Sequence, residues 1–368
     1  MKILHTGDLH LQNGQILKEI KKCTDFLLEV AERERPDFTV IAGDLFDQNV
    51  PLGSEAAVTA IDFLQKLSNL CPVFIVKGTP SHDGTNLNSL ERLTGVTVFD
   101  TPIQMKVGEA TFSFLPAPTR ASLLTLRKNN ETIEDLLRDI LQGWGETAKV
   151  PHILVGHVTL RGSETSAGQQ MAGRDIELGV SDFALAKPTL VILGHIHKPQ
   201  RWGNIFYCGS LTRLNFGEEE EKGFWIHEIN DSRVESRFIK VPARKMVTQT
   251  WPDVDLSSLG PGDGLRIIAR VNEGENCDFS SLEREAGERG IILRIEKQVI
   301  PVVTRRTEAI SRALTYEDKL RIWLEVSGTG SENGDLFDKL SLLREREPEE
   351  IVSVLLKGGG NETVISQT

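Results

Sequence analysis

Two similar stretches near the amino terminus decide the fold, MKILHTGDLH at residues 1–10 and FTVIAGDLFD at residues 38–47. Each is a short run of mainly apolar and β-branched residues that ends in Gly-Asp. A run of this length and composition predicts a buried β-strand, and the Gly and the polar residue after it predict a turn. Both stretches therefore place polar groups at strand carboxyl ends, where open α/β sheets bind ligands.

The same pattern recurs as far as residue 240, in VFIVKGT, HILVGH, LVILGHIH, IFYCGS and GFWIHEI. Helical periodicity separates the first strands, over Ile16 to Glu34 and over Ser54 to Leu70. Because strands and helices alternate, the sequence predicts a layered α/β domain.

The composition changes after this region. A Pro/Gly-rich lead-in, the strand-like LRIIARV and IILRIEKQVI, and the helical FSSLEREAGERG between them predict a small α+β domain. Helices are also predicted over Thr307 to Val326 and Asp335 to Glu347, the second with Leu336, Leu340 and Leu343 on one face. The final GGGNETVISQT is predicted to be disordered. The predicted domains are residues 1–243, 244–303, 304–356 and 357–368.

Charge and cysteine content narrow the class of protein. The net charge of -11 at pH 7 argues against a protein that coats nucleic acid non-specifically, because such binding needs a broad basic surface. The four cysteines form no CxxC pair, so neither a disulfide framework nor a zinc ribbon is expected. No apolar window approaches the roughly 18 residues that span a bilayer. We therefore expect a soluble, unprocessed cytoplasmic protein with no membrane partner.

Side chains able to bind metal ions gather at the predicted strand ends. Asp8 and His10 are two residues apart in an extended segment, so both can point the same way. Asp44 follows the second strand, and its two oxygens can bridge two cations. Five of the eight histidines lie at or near a strand end, namely His10, His82, His157, His195 and His197.

This set of ligands predicts the chemistry. Carboxylate and imidazole groups suit manganese, iron, cobalt, nickel or zinc better than calcium. Two cations about 3.5 to 4 Å apart that share a carboxylate activate water and stabilise the leaving oxygen of a phosphodiester. Alone, each motif is more typical of a turn, a helix cap or a structural histidine. The acidic run Glu218 to Glu221 is interpreted as a solvated turn.

The series GDLH, GDLF, HD, GH and GHIH resembles the calcineurin-like metallophosphoesterase superfamily. Within it, KILHTGDLHL, LVILGHIHKPQ and YCGSLTRLNFGEEEEKGF resemble the SbcD nucleases, bacterial counterparts of the meiotic-recombination-eleven nuclease. The resemblance implies a β-sandwich core flanked by helices, and metal-dependent double-strand exonuclease and single-strand endonuclease activity, with two divalent ions, Mn²⁺ foremost. The resemblance is specific over residues 1 to about 240. Beyond that point only the architecture resembles the family.

The resemblance also assigns roles to individual residues. His82 would protonate the leaving oxygen or stabilise the transition state, with Asp83 as its orienting partner. Six side chains would hold the two metal ions. The first ion's ligands are Asp8, His10 and His197, the second ion's are His157 and His195, and Asp44 bridges the two.

One loop departs from the family pattern. Where the family has Gly-Asn-His-Asp, with the Asn completing the second metal's shell, this chain has GTPSHD at residues 78–83. Two residues are inserted and the Asn is missing. Ser81, directly before the histidine, and Thr79 are the two candidates to replace it. A neutral hydroxyl is a poorer ligand than an amide carbonyl, so the second metal is expected to bind weakly or only with substrate.

The resemblance further implies partners. The α+β domain would position DNA over the metals, the helical tail would bind an SbcC-type coiled-coil ATPase, and the nuclease would be a homodimer. No GxxxxGK[ST] loop occurs, so ATP hydrolysis would belong to the partner. Alternative hypotheses are a small-substrate phosphoesterase and a DNA-binding scaffold with an impaired site. Candidate phosphate contacts are Arg120, Arg161, Lys198, Arg201 and Arg213.

Overall fold

The computed structural model describes residues 1–119, 123, 132–166, 176–230, 233–272, 275, 277–300, 315–327 and 334–345. The chain divides into two compact units, and the larger one contains residues 1–271 and 276–298. The smaller unit contains the described residues after Gln298, together with Asn272 and Glu275.

The first sheet of the larger unit has six strands. They are β1 (Lys2–Thr6), β2 (Phe38–Ile41), β3 (Val73–Val76), β4 (Val96–Phe99), β13 (Gly223–Asn230) and β14 (Arg233–Lys240). Their order in the sheet is β14-β13-β1-β2-β3-β4. Strands β1 to β4 are parallel, and β13 and β14 extend the sheet antiparallel beside β1.

The second sheet also has six strands. They are β5 (Ile103–Val107), β6 (Ala110–Leu115), β7 (His152–His157), β10 (Leu190–Gly194), β11 (Gln200–Trp202) and β12 (Ile205–Tyr207). Their order is β11-β12-β10-β7-β6-β5, with four parallel central strands and two antiparallel edge strands. A short parallel pair is formed by β8 (Thr159–Leu160) and β9 (Glu177–Leu178).

The two sheets pack face to face. Val40 and Phe74 from the first sheet share one buried cluster with Phe112, Val155 and Ile192 from the second. Full burial of an apolar side chain of this size contributes about 1.5 to 3 kcal/mol, so this interior holds the sandwich together. The predicted α/β class with a layered β-sandwich core is confirmed.

Helices cover the outer face of each sheet. On the first sheet, α1 (Gln15–Glu34) and α2 (Glu55–Ser68) bury an apolar stripe. The α2 helix begins after Ser54, whose hydroxyl accepts a hydrogen bond from the amide of Ala57. On the second sheet, α3 (Ile133–Thr147) and α4 (Val180–Leu185) do the same. A 3₁₀ helix (Thr85–Arg92) follows the loop after β3.

Most of a three-stranded sheet belongs to the last part of the larger unit. It consists of β15 (Met246–Thr250), β16 (Gly264–Asn272) and β17 (Ile292–Ile300), with α5 (Ser280–Glu288) between the last two strands. This segment has its own apolar cluster, which includes Leu265, Ile267 and Leu282. The predicted strand, helix, strand order of the α+β segment is thus observed.

The smaller unit contains two described helices, α6 (Tyr316–Ser327) and α7 (Gly334–Glu345). Residues 307–314 and 346–347 of the predicted tail helices lie outside the described residues, as do residues 358–368. Among the described residues, no helix combines the length and apolarity needed to cross a bilayer.

Candidate metal centre

The predicted ligands stand on strained backbone at the strand carboxyl ends. Asp8, His10 and Asp44 all have φ of 48°, and His195 has φ of 96°. Non-glycine residues rarely adopt this left-handed region, and each such residue costs on the order of 1 to 3 kcal/mol. The tertiary fold therefore holds four of the predicted ligands in backbone conformations that are unfavourable for these residue types.

The ends of β1 and β10 are tied together through Asp8. Its carboxylate oxygens lie 2.9 and 3.0 Å from the backbone amide of His195, which donates to them. Nearby, the Nε2 atoms of His10 and His197 are 3.1 Å apart. One of these two nitrogens donates a hydrogen bond to the other, so the Nε2 atoms of both rings face each other beside Asp8.

Asp44 lies between two groups of possible ligands. It forms one with Asp8 and His10, and another with His157 and His195; in each group the ligand atoms lie within 4.8 Å of one another. Its Oδ2 atom is 3.4 Å from His157 Nε2 and 3.8 Å from His10 Nε2. A carboxylate shared in this way matches the bridging ligand of a two-metal site.

The charge state of Asp44 suits this position. Burial alone would raise the pKa of the carboxyl group, but the imidazoles of His157 and His10 outweigh burial and hold the pKa well below its usual range. The side chain is therefore ionised at neutral pH, the form that binds cations.

His157 is oriented by the backbone of the facing sheet. Its Nδ1 lies 2.7 Å from the carbonyl oxygen of Ala42, which can only accept, so Nδ1 carries a hydrogen and Nε2 is the nitrogen that faces the cluster and would bind a cation. A Cβ at Gly43 would lie 2.2 Å from this Nδ1, and Gly43 has φ of 91°. Only glycine fits at that position.

The loop after β3 brings Thr79, and not Ser81, to the cluster. The Thr79 amide donates to Asp44 Oδ1 at 2.6 Å, and its hydroxyl oxygen lies 3.3 Å from both Asp44 Oδ2 and His157 Nε2. Ser81 is exposed. Of the two candidates for the missing Asn, Thr79 is the one that touches predicted metal ligands.

His82 and Asp83 have different partners from those predicted. The Asp83 carboxylate, fully buried, accepts from the amides of Phe46 at 3.2 Å and Gly78 at 2.8 Å. His82 Nδ1 instead contacts the carbonyl oxygen of Asp47. The group that orients His82 is thus this carbonyl, and Asp83 joins the two loops. Burial, followed by the nearby Asp44 charge, raises the pKa of Asp83 to about 6.

The His82 ring lies at the edge of the cluster, 4.8 Å from the His10 ring between centroids. Asp47 Oδ1 is 3.3 Å from His10 Nδ1, although the direction is poor for a hydrogen bond. Asp47 therefore adds a carboxylate beside both histidines, a position that was not predicted.

Glu218 is the main residue that sequence reasoning missed. Its side chain is completely buried, and its Oε1 lies 3.1 Å from Nδ1 of His197. Its other oxygen lies 2.8 Å from Nζ of Lys222, which is also fully buried. The interpretation of residues 218–221 as a solvated turn is wrong for Glu218, because His197 and Lys222 enclose it. Despite burial, these two partners lower the pKa of Glu218 to about 2.

The candidate phosphate contacts are engaged in other ways. Arg213 is buried and donates to the backbone carbonyls of Glu218 and Glu220 at 2.9 and 2.6 Å, so it secures the loop. Lys198 pairs with Glu164 at 2.6 Å, and Arg201 lies over the Phe206 ring. Arg161 Nε is 3.9 Å from Glu177, and Arg120 lies outside the described residues.

Two cavities flank His195. One, of about 200 Å³, is lined by Thr79, Pro80, Pro118 and His157 among others. The other, of about 270 Å³, is lined by His197, Asn215 and Glu218 among others. The ligand cluster is therefore open to small molecules from two sides.

Comparison with known proteins agrees with this geometry. The family model for calcineurin-like phosphoesterases matches residues 1–199. A relative from Staphylococcus epidermidis, the SbcD subunit of the nuclease SbcCD, is 29% identical over 259 residues, which cover 64% of this chain and 67% of that protein.

Similar solved structures share little sequence with this chain. A dimetal phosphatase from Danio rerio has a TM-score of 0.42 at 12% identity, covering 65% of this chain and 98% of its own. The E. coli phosphoesterase Yfce has a TM-score of 0.31 at 13% identity, covering 66% of this chain and 100% of its own.

Proposed function

Because the chain belongs to the calcineurin-like phosphoesterase family and is a metal-dependent phosphodiesterase, we propose that it cleaves DNA as the nuclease component of an SbcCD-type repair complex. The observation that carries the proposal is Asp44, which is shared by two groups of metal-binding side chains. The relative from Staphylococcus epidermidis is a nuclease subunit, which supports a nucleic acid as the substrate, and the resemblance to the SbcD nucleases implies DNA. The activity would be double-strand exonuclease and single-strand endonuclease.

The donor set fits two divalent cations, Mn²⁺ foremost, because imidazole and carboxylate groups are the ligands present. When bound, the two cations supply an activated water and stabilise the charge on the leaving oxygen. The proposed first group of ligands is Asp8, His10 and His197, the second is His157 and His195, and Asp44 bridges them.

His82 is proposed to hold the proton that the leaving oxygen receives. Since the carbonyl oxygen of Asp47 can only accept, Nδ1 of His82 carries a hydrogen, and Nε2 is the atom that exchanges a proton with the substrate. Asp83 is proposed to position this loop, because its oxygens bind the amides of Phe46 and Gly78.

Partners are proposed from the tail and from charge. The α6 helix of the smaller unit exposes Tyr316 and Trp323, which are 72% and 49% exposed, and aromatic anchors of this kind support binding of an SbcC-type ATPase. Since the net charge is -11, bound cations would supply the positive charge at the phosphate. We propose a homodimeric cytoplasmic nuclease whose α+β segment at residues 244–303 positions DNA.

The test is cleavage of linear double-stranded and hairpin DNA by the purified full chain with Mn²⁺. A His82→Ala variant is expected to lose about 10²-fold or more of the rate, because general acid catalysis contributes about that much. Glu109→Gln serves as the control, since Glu109 is 97% exposed, and should cut at the wild-type rate.

Other outcomes would separate the alternative functions. In one outcome, the wild-type protein leaves DNA intact even with excess Mn²⁺ and an SbcC-type ATPase, but hydrolyses a small chromogenic phosphodiester. This result would indicate a small-substrate phosphoesterase. A protein that binds DNA and hydrolyses neither substrate would be a scaffold.

A further inference from the structure

We propose that Thr79 completes the second metal position, with its hydroxyl oxygen taking the place of the missing amide oxygen. This inference rests on the proposed function, because it concerns the ligand group of Asp44, His157 and His195. The Thr79 hydroxyl oxygen lies 3.3 Å from Asp44 Oδ2 and 3.3 Å from His157 Nε2. It is therefore adjacent to two of the three proposed ligands of that ion.

The backbone fixes Thr79 in this position. Gly78, directly before it, donates its amide to Asp83 at 2.8 Å, and a Cβ on Gly78 would lie 2.2 Å from the amide nitrogen and Oδ1 of Asp44. The Thr79 amide then donates to Asp44 Oδ1 at 2.6 Å. These contacts anchor the Thr79 backbone at the bridging carboxylate, and from there the hydroxyl group reaches Asp44 Oδ2 at 3.3 Å.

The inserted residues form a tight turn directly after Thr79. The Thr79 carbonyl oxygen accepts from the amides of His82 and Asp83, both at 2.9 Å, which closes a tight turn. Pro80 and Ser81 form the outside of this turn and are exposed. Thr79 therefore occupies the position directly after the glycine, where the family has its Asn, and the extra residues come after it. The turn places His82 at the edge of the cluster.

The chemistry of a hydroxyl group predicts a specific consequence. Its oxygen can bind a cation through a lone pair while its hydrogen is donated to Asp44 Oδ2. A neutral hydroxyl is nonetheless a weaker ligand than an amide carbonyl. We expect the two cations to bind in separate steps, with the weaker step depending on Thr79.

The experiment is titration of the metal-free full chain with Mn²⁺, followed by calorimetry and by the electron paramagnetic resonance signal of coupled Mn²⁺ pairs. In Thr79→Val, which keeps the shape and removes the hydroxyl, the weaker binding step should lose about 10-fold or more in affinity, as typical losses at metal shells suggest. Thr79→Ser should retain the step and Thr79→Asn should tighten it. Ser81→Ala should leave both steps unchanged.

Several results would overturn the inference. These are a wild-type stoichiometry of one, an unchanged weaker step in Thr79→Val, or loss of that step in Ser81→Ala. If Thr79→Val fails to fold, Thr79→Asn decides, because an equal or weaker second step there contradicts the proposal. If the second cation depends on Thr79 but the protein does not cleave DNA, only the proposed nuclease function is refuted. If the protein cleaves DNA but the second cation binds independently of Thr79, only the proposed ligand role of Thr79 is refuted.

Discussion

Oε1 of the buried Glu218 carboxylate lies 3.1 Å from Nδ1 of His197, next to the proposed first metal position. A carboxylate that accepts from one imidazole nitrogen fixes the tautomer and leaves the other nitrogen for a cation. The same carboxylate is held by Ser210, Asn215 and Lys222. Glu218 is therefore a positioning residue for His197.

Glu218→Gln should weaken both folding and metal binding. The buried Lys222 ammonium would keep Glu220 at 2.7 Å but lose its closest fully buried counter-charge, and breaking such a pair costs about 3 kcal/mol or more. Loss of the carboxylate should lower Mn²⁺ affinity by about 10- to 100-fold. Urea unfolding and Mn²⁺ titration measure the two effects.

The matched control comes from the same acidic run. The Glu221 side chain is 63% exposed and lies 3.3 Å from Lys240 in a surface ion pair, so Glu221→Gln should change stability by less than about 0.5 kcal/mol. Equal behaviour of the two variants would contradict a positioning role for Glu218.

Gly78→Ala should damage the site directly. The new Cβ would lie 2.2 Å from two atoms of Asp44, so the bridging carboxylate or its strand end must move. Overpacking of this kind costs about 1 to 3 kcal/mol, and Mn²⁺ binding should fall with it. Thermal unfolding and Mn²⁺ titration provide the measurements.

Gly143→Ala is the corresponding control. Gly143 lies in α3, and its added Cβ would meet nothing within 4 Å. Alanine there should stabilise the protein by up to about 1 kcal/mol with Mn²⁺ binding intact. If both glycine variants bind Mn²⁺ like the wild type, the close approach at Asp44 is unimportant.

Tyr207→Phe should destabilise the segment that follows His157. The buried Tyr207 hydroxyl donates to the carbonyl of Val158 at 2.6 Å and accepts from the amide of Leu160 at 2.8 Å. Phenylalanine would leave both backbone groups unsatisfied, at a cost of about 1 to 3 kcal/mol. Tyr316, the other of the two tyrosines, is 72% exposed, so Tyr316→Phe should cost under about 0.5 kcal/mol in the same denaturation assay.

Acid should unfold the protein partly through a buried histidine pair. Leu193 accepts from His5 Nε2 at 3.1 Å, His5 Nδ1 lies 3.2 Å from His227 Nε2, and Ser236 Oγ is 2.8 Å from His227 Nδ1. When both rings are neutral, each of their nitrogens has a hydrogen-bond partner in this series. Burial lowers the pKa of His5 to about 3 and that of His227 well below its usual value.

The direction of the pH effect follows from these shifts. The unfolded chain binds protons below about pH 6.5 and the folded chain does not, so each histidine removes up to about 1.4 kcal/mol of stability per pH unit as the pH falls. His227→Gln should make this slope shallower between pH 6 and 4.5. Between pH 7.5 and 8.5 the free energy of unfolding should depend on pH equally in the wild type and the variant. If the two slopes also match between pH 6 and 4.5, the buried histidine pair is not a cause of acid unfolding.

Local patterns were sufficient for much of the fold. The seven apolar runs named in the sequence analysis correspond to β1, β2, β3, β7, β10, β12 and β13, whereas β4, β5, β6, β11 and β14 of the two six-stranded sheets were not predicted. Periodicity placed α1 and α2 within two residues of their observed ends. The predicted domain boundaries, the homodimer and the role of each metal ligand remain predictions. The homodimer depends on a second chain, and the roles of the metal ligands depend on ions that bind the site.

The sequence by itself determined the layered α/β class and the residue types at the strand ends, because alternation, turns and metal-binding side chains are local properties. Only the tertiary structure decided that Thr79 rather than Ser81 faces Asp44, that Asp83 holds backbone amides, and that Glu218 is buried beside His197. Each of these features depends on which distant segments of the chain come into contact. An acidic run by itself predicts a solvated Glu218, whereas in the fold His197 and Lys222 enclose its side chain.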